Sequence, residues 1–182
     1  MVTFSLLAGG VVLLGLLAVL GWAFGRVFWK FRGDRVITCP ENQKPAGVRV
    51  DVAHAGLTTL EGKPELRLST CSRWPEMQDC GQECLRQIEA APDGCLVRNI
   101  LTKWYEGKSC VLCGKPLGEI NWADHRPALL GPDRHTVQWW EVKPESVPDV
   151  LATHQPVCWN CHVVNRMMAQ HPDLVLDRSR AK

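Results

Sequence analysis

Two C-x-x-C pairs constrain this chain more than any other feature: Cys110-Val-Leu-Cys113 and Cys158-Trp-Asn-Cys161, separated by 44 residues. A C-x-x-C turn aims both sulfurs at one centre. Two such turns complete the tetrahedral four-thiolate shell that Zn²⁺ favours in closed structural sites. Gly114 follows the first pair, where a knuckle needs positive φ so that backbone N–H groups can approach sulfur. The spacing predicts that Cys110, Cys113, Cys158 and Cys161 hold one metal ion. Zinc is the first expectation, and iron in the same thiolates is the alternative.

Composition divides the chain in two. All 40 formally charged side chains (21 basic, 19 acidic) lie after residue 25, and all four phenylalanines (Phe4, Phe24, Phe28, Phe31) lie in the first 31 residues. As a helix at about 1.5 Å per residue, Val2 to Phe24 is long enough to cross a ~30 Å hydrocarbon layer. Residues 1–25 are therefore read as one transmembrane helix, and 26–35 as a basic juxtamembrane segment carrying Arg26, Lys30, Arg32 and Arg35. A cleaved signal peptide would carry its basic residues ahead of the apolar run rather than after it. Trp22, Phe24, Phe28 and Trp29 suit an interfacial aromatic belt. The Lys/Arg bias predicts a cell-membrane protein with its N-terminus outside and its C-terminal domain in the cytoplasm. Gly21-Trp-Ala-Phe-Gly25 is a G-x-x-x-G through which two copies could dimerise. A reducing cytoplasm also keeps nine cysteines available for metal, where an oxidising compartment would pair eight and leave one over.

The fold class expected is α+β: the membrane helix, then a small cysteine-rich domain of short antiparallel strands, a helical hairpin and a zinc module. Alternating segments at Val36–Cys39, Val48–Val52 and Leu66–Leu68 predict a strand meander. A helix is expected to start near Asp79 and Gln82, and a second near Asp93, turning Leu96, Ile100 and Trp104 inward. Meander and hairpin make up residues 36–107. Cys39, Cys71, Cys80 and Cys84 are candidates for a second metal site, with Cys80 and Cys84 four apart on one helix face. Mixed buried or free thiols are the alternative, and Cys95 is read as core.

Residues 108–172 form the zinc module and 173–182 a tail, in which sparse Arg178, Arg180 and Lys182 read as a solvated terminus; nucleic-acid binding is not expected. After the knuckle, Ile120–Trp122 and Thr136–Val142 read as β-hairpin material around the turn Gly131-Pro-Asp-Arg134. The second cysteine pair opens a helix in which Val163, Val164, Met167 and Met168 recur until His171-Pro172.

Knuckle, hairpin, and helix with C-x-x-C in its first turn resemble the treble-clef zinc modules over residues 110 to about 170. Within them, C-x-x-C-G, the pair Asp124-His125 and the second C-x-x-C resemble the HNH endonucleases. That likeness implies His125 as a general base beside a separate catalytic divalent ion. No asparagine falls between His125 and Cys158, and no second metal shell accompanies His125, so catalysis is not the expectation. Cys158-Trp-Asn-Cys161-His162 also resembles the attachment motif of c-type haem, which implies His162 as iron ligand, with a distal ligand such as His125, His135 or His154. The sequence further reads His162 as a first-turn residue near the thiolates, assisted by Lys108, Lys115 or Arg166. Thiol–disulfide exchange at the second pair lacks a surrounding βαβ pattern. The function expected is a membrane-anchored zinc protein serving as a binding or assembly module for another protein. The alternatives are an exported haem c electron carrier and an HNH-type nuclease.

Overall fold

The computed structural model describes residues 2–77 and 79–171; the tail residues Arg178, Arg180 and Lys182 lie outside them. The chain divides into two compact units, Met1–Leu96 and Val97–Lys182. The fold is mixed α/β, with two small antiparallel sheets and one apolar helix at the N-terminus.

The first unit contains α1 (Val2–Phe31), β1 (Arg35–Thr38), β2 (Pro45–Val50), α2 (Val52–Thr58), β3 (Leu68–Cys71) and α3 (Leu85–Ala90). α1 continues to Phe31 without a break, and Leu13–Phe31 is long and apolar enough to cross a membrane. Val11, Leu13, Leu14, Leu16, Leu17 and Val19 are each more than half exposed, whereas Val27 and Phe31 are buried with the sheet. One end of this helix is therefore part of a protein core, and its middle presents apolar side chains outward.

The strands pair in the order β1-β2-β3, all antiparallel, with Arg35 opposite Val48 and Val48 opposite Cys71. The expected meander is present, but its limits shift. β2 begins at Pro45, and the alternation through Val52 ends early because Asp51 caps α2, its carboxylate accepting from His54 N at 3.0 Å. That N–H and then the Arg67 guanidinium hold the Asp51 carboxyl below its usual range. Arg35 also differs from expectation. It is fully buried on β1, donating to the carbonyls of Pro92 and Lys30, so it belongs to the core and not to a basic flank.

α3 starts at Leu85, later than the expected start near Asp79. Gln82 adopts φ +54 and turns its side chain to Leu68 N (2.8 Å), which ends any helical path from Cys80 to Cys84. The two cysteines therefore do not share a helix face.

The second unit contains α4 (Val97–Tyr105), β4 (Ala128–Leu130), β5 (Thr136–Val137), α5 (Val147–Thr153), β6 (Gln155–Val157) and α6 (Trp159–Gln170). α3 and α4, the helices expected to form a hairpin, thus fall in different units. Leu101 and Tyr105 are the buried residues of α4; Ile100 and Trp104 are half-buried. Tyr105 is placed by donating its hydroxyl to Ala128 O (2.7 Å) and accepting from Trp139 Nε1 (3.1 Å). Burial raises its pKa well above the ordinary phenol value. The sheet order is β5-β4-β6, antiparallel throughout. The turn at Gly131–Arg134 forms as expected, with Gly131 N bonded to His135 O. Ile120–Trp122 forms no strand, and the extended run from Thr136 stops at Val137 because Trp139–Glu141 coils into a 3-10 turn.

Gly56 on α2 lies directly against the Phe24 ring of α1, so that a Cβ there would collide with it. Gly56→Ala is expected to cost about 1–3 kcal/mol by overpacking, read as a lower denaturant midpoint for the detergent-solubilised chain. Combining it with Phe24→Leu should recover most of that loss, because the two sites are in direct contact.

Candidate metal centre

The four cysteines of the two C-x-x-C pairs come together in the second unit. The Sγ atoms of Cys110, Cys113, Cys158 and Cys161 all lie within 4.8 Å of one another. Two local structures produce this. The first is a tight turn closed by Cys110 N to Lys115 O (2.8 Å) and Gly114 N to Cys110 O (2.8 Å), with Ser109 bridged to Pro116. Gly114 sits at φ +71, the left-handed value anticipated from its place after the pair. The second is the junction of β6 with α6, where Cys158 is the N-cap and Cys161 occupies the first turn. Val111 N donates to Pro156 O at 2.9 Å. That single bond ties the first turn to the strand leading into Cys158, and so brings the pairs together.

The electrostatics of the four thiols differ. Burial raises the pKa of Cys110, but the backbone N–H groups of Cys158, Cys113 and Leu112 aimed at its sulfur outweigh it and lower the thiol to about 6. Cys158 and Cys161 are both raised, by burial first. For Cys161, hydrogen bonds with the thiols of Cys158, Cys113 and Cys110 raise it further. The Cys110 thiolate forms readily, while those of Cys158 and Cys161 are opposed, a distribution that a bound cation reverses by favouring the anions. The arrangement is that of a four-cysteine metal-binding site, with soft sulfur donors throughout.

His162, next to Cys161, is placed differently from the sequence reading. It is 1% exposed, the one fully buried residue of α6. Its Nδ1 lies 2.8 Å from Thr136 Oγ1, and its Nε2 is bonded to Gln138 Nε2. The Thr136 hydroxyl donates to Asn165 Oδ1 (3.1 Å), so it accepts from Nδ1–H, and Nε2 accepts from the Gln138 amide. This chain fixes a neutral tautomer. Burial, and then the nearby Arg166 charge, lower the His162 pKa accordingly. Of the cations expected to assist it, Lys108 lies 3.4 Å over the Trp104 ring and Arg166 pairs with Glu141 at 3.1 Å.

The sequence reading missed Thr136, Gln138 and Asn165. A signal for them existed, since Asn165 is three residues after His162 on one helix face, and Thr136 and Gln138 share one face of an extended segment. The apolar face of α6 was also misread: Val164, Met167 and Met168 are about half exposed, because the inward position is taken by His162.

Asp124 and His125 lie on the exposed loop before β4, 2.7 Å apart, with His125 at φ +51 and its ring edge-on to Trp159. His135 is exposed in the β4–β5 turn, and His154 is half-buried against Thr153 Oγ1. None of these histidines joins the thiol cluster. Cys39, Cys71, Cys80 and Cys84 lie in the first unit and are not gathered as closely; among the described residues, the group at 110–161 is the only one with its ligand atoms within 4.8 Å. No family model, curated protein or solved structure matches the chain.

Because His162 is buried and bonded at both nitrogens, His162→Ala should lower unfolding free energy by about 2–4 kcal/mol, from lost packing and unpaired polar partners. The same variant should retain the ion held by the four thiols, measured as metal per chain.

Proposed function

We propose that the chain is a membrane-anchored zinc protein whose four-cysteine module faces the cytoplasm and serves to bind or assemble a protein partner. The observation that carries this reading is the convergence of Cys110, Cys113, Cys158 and Cys161 to within 4.8 Å. Four thiolates with no open position match closed structural Zn²⁺ sites, which stabilise folding and leave no coordination position for substrate. The succession of tight turn, β4–β5 hairpin and α6 beginning at Cys158 supports a treble-clef-like module, with α5 and β6 inserted before the last helix.

Anchoring is supported by the exposed apolar side chains from Val11 to Val19, which in water would form an unfavourable surface. The cytoplasmic orientation rests on Arg26, Lys30 and Arg32 following the charge-free residues 1–25. A Cβ at Gly21 or Gly25 would meet nothing within 4 Å, which leaves room for a second α1 in a homodimer. Exposed Val164, Met167 and Met168 on α6 favour a protein as the partner of the module.

The haem reading is less favoured, because the proposed iron ligand His162 is turned into the core and the two attachment thiols face Cys110 and Cys113. A nuclease reading rests on Asp124 and His125 alone.

Structural zinc contributes on the order of 10–16 kcal/mol in small peptides, against a net stability of ~5–15 kcal/mol for a domain. Cys110→Ser and Cys161→Ser should therefore each lose one zinc equivalent per chain and the cooperative melting of the second unit. The purified protein should show no Soret band. A Cys110→Ser protein that keeps its metal and its melting temperature would defeat the shared-site reading. On intact cells, a membrane-impermeant thiol reagent should leave the chain unlabelled, with labelling appearing only after permeabilisation and denaturation; labelling of intact cells would place the module outside.

A further inference from the structure

The first unit carries four more cysteines whose placement follows from its sheet. β1 and β3 flank β2 antiparallel to it and so run parallel to each other. Cys39 directly follows β1, level with Lys44, and Cys71 ends β3, where the register sets it opposite Val48 and on the same face of the sheet. α3 is fastened to the end of β1: Gln87 Nε2 donates to Thr38 O (2.6 Å) and its Oε1 accepts from Thr38 N (3.1 Å). Cys84, the N-cap of α3, lies one turn before Gln87 and is therefore carried to the end of β1. Gln82 ties the preceding loop to Leu68 N at 2.8 Å, and Arg73, just past β3, donates to Cys39 Sγ at 3.1 Å. Cys39 and Cys84 are buried in one core cluster, with Cys71 packed against it.

The backbone around these sulfurs resembles that around the first metal centre. The N–H groups of Glu41 and Asn42 point at Cys39 Sγ, two and three residues on. Those of Leu112 and Cys113 bear the same relation to Cys110. Gln82 N likewise approaches Cys80 Sγ at 3.4 Å. N–H groups directed at sulfur are strong hydrogen bonds only when the sulfur is anionic, as in a metal-bound thiolate.

We propose that Cys39, Cys71, Cys80 and Cys84 form a second four-cysteine site for a thiophilic divalent cation, Zn²⁺ first, between the first sheet and the start of α3. The core already holds Cys39 and Cys84. The ion would gather the half-exposed Cys71 and Cys80 onto them. Arg73 would remain beside Cys39 as an outer hydrogen-bond donor that offsets part of the added negative charge. Cys95 stays outside the site, accepting from Arg35 Nη1 at 3.4 Å.

The test is the zinc content of the full-length chain purified in detergent. Two equivalents per chain are expected for the natural sequence and for Cys95→Ser, and one for each of Cys39→Ser, Cys84→Ser and Cys110→Ser. A natural chain with one equivalent, or a Cys84→Ser chain that keeps two, overturns the proposal while leaving the Cys110 site intact. Should the variants fail to fold, alkylation of the native natural chain decides. Half-exposed Cys71 and Cys80 should resist modification until a chelator removes one zinc and should then react together; their free reaction in the zinc-replete protein counts against the site.

Discussion

Four sulfurs within 4.8 Å of one another in a partly buried place set the terms for the whole second unit. As thiols they are poor hydrogen-bond partners, and as thiolates they repel. Only a cation among them turns the cluster from a cost into a source of stability. The surrounding structure serves this arrangement. β6 runs straight into Cys158, the Val111 to Pro156 bond joins the two cysteine turns, and α6 leaves from the centre with Cys161 in its first turn. On the other side of α6, the Gln138–His162–Thr136–Asn165 chain anchors the helix to β5 and the adjoining turn without touching the ion. The helix is thus held at its first turn by the place of Cys158 and Cys161 in the thiol cluster, and further along by a neutral hydrogen-bond network.

That division explains why His162 was hard to read. C-x-x-C-H is a local string, and a string cannot tell whether the histidine turns toward the cysteine pair or away from it. The answer lies in tertiary partners about 25 residues earlier, Thr136 and Gln138. The same limit applies at Arg35, which looks like one more basic residue after an apolar helix and is instead enclosed by carbonyls of Lys30 and Pro92. The cysteine cluster was legible because the local turn chemistry and the number of ligands both point to one geometry. The three-stranded meander was legible from its alternation. Its limits were not, since Asp51 capping α2 competes with a strand that propensity alone would continue to Val52.

The two units share a physical problem. Among the described residues each has one three-stranded sheet, and neither shows the large aromatic core that would make so few residues stable by burial alone. In the second unit Tyr105 and Trp139 form a hydrogen-bonded aromatic pair, and an ion held by the four cysteines would supply a crosslink between distant segments. In the first unit Val27 and Phe31 of α1 complete the core against the sheet.

This use of α1 has a consequence for what an anchor is in this chain. A transmembrane segment joined by a flexible linker would let the following domain reorient freely. Here the helix runs unbroken to Phe31, Phe24 fills the space left by Gly56, and the Arg35 guanidinium reaches back to Lys30 O, so the first unit is packed and hydrogen-bonded onto the end of the helix. Any membrane that holds the middle of α1 would therefore set the position of the first sheet as well, and with it Cys39 and Cys71. Phe24 and Phe31, in the last turns of α1, do this packing: Phe24 against Gly56 of α2 and Phe31 in the hydrophobic core with the sheet.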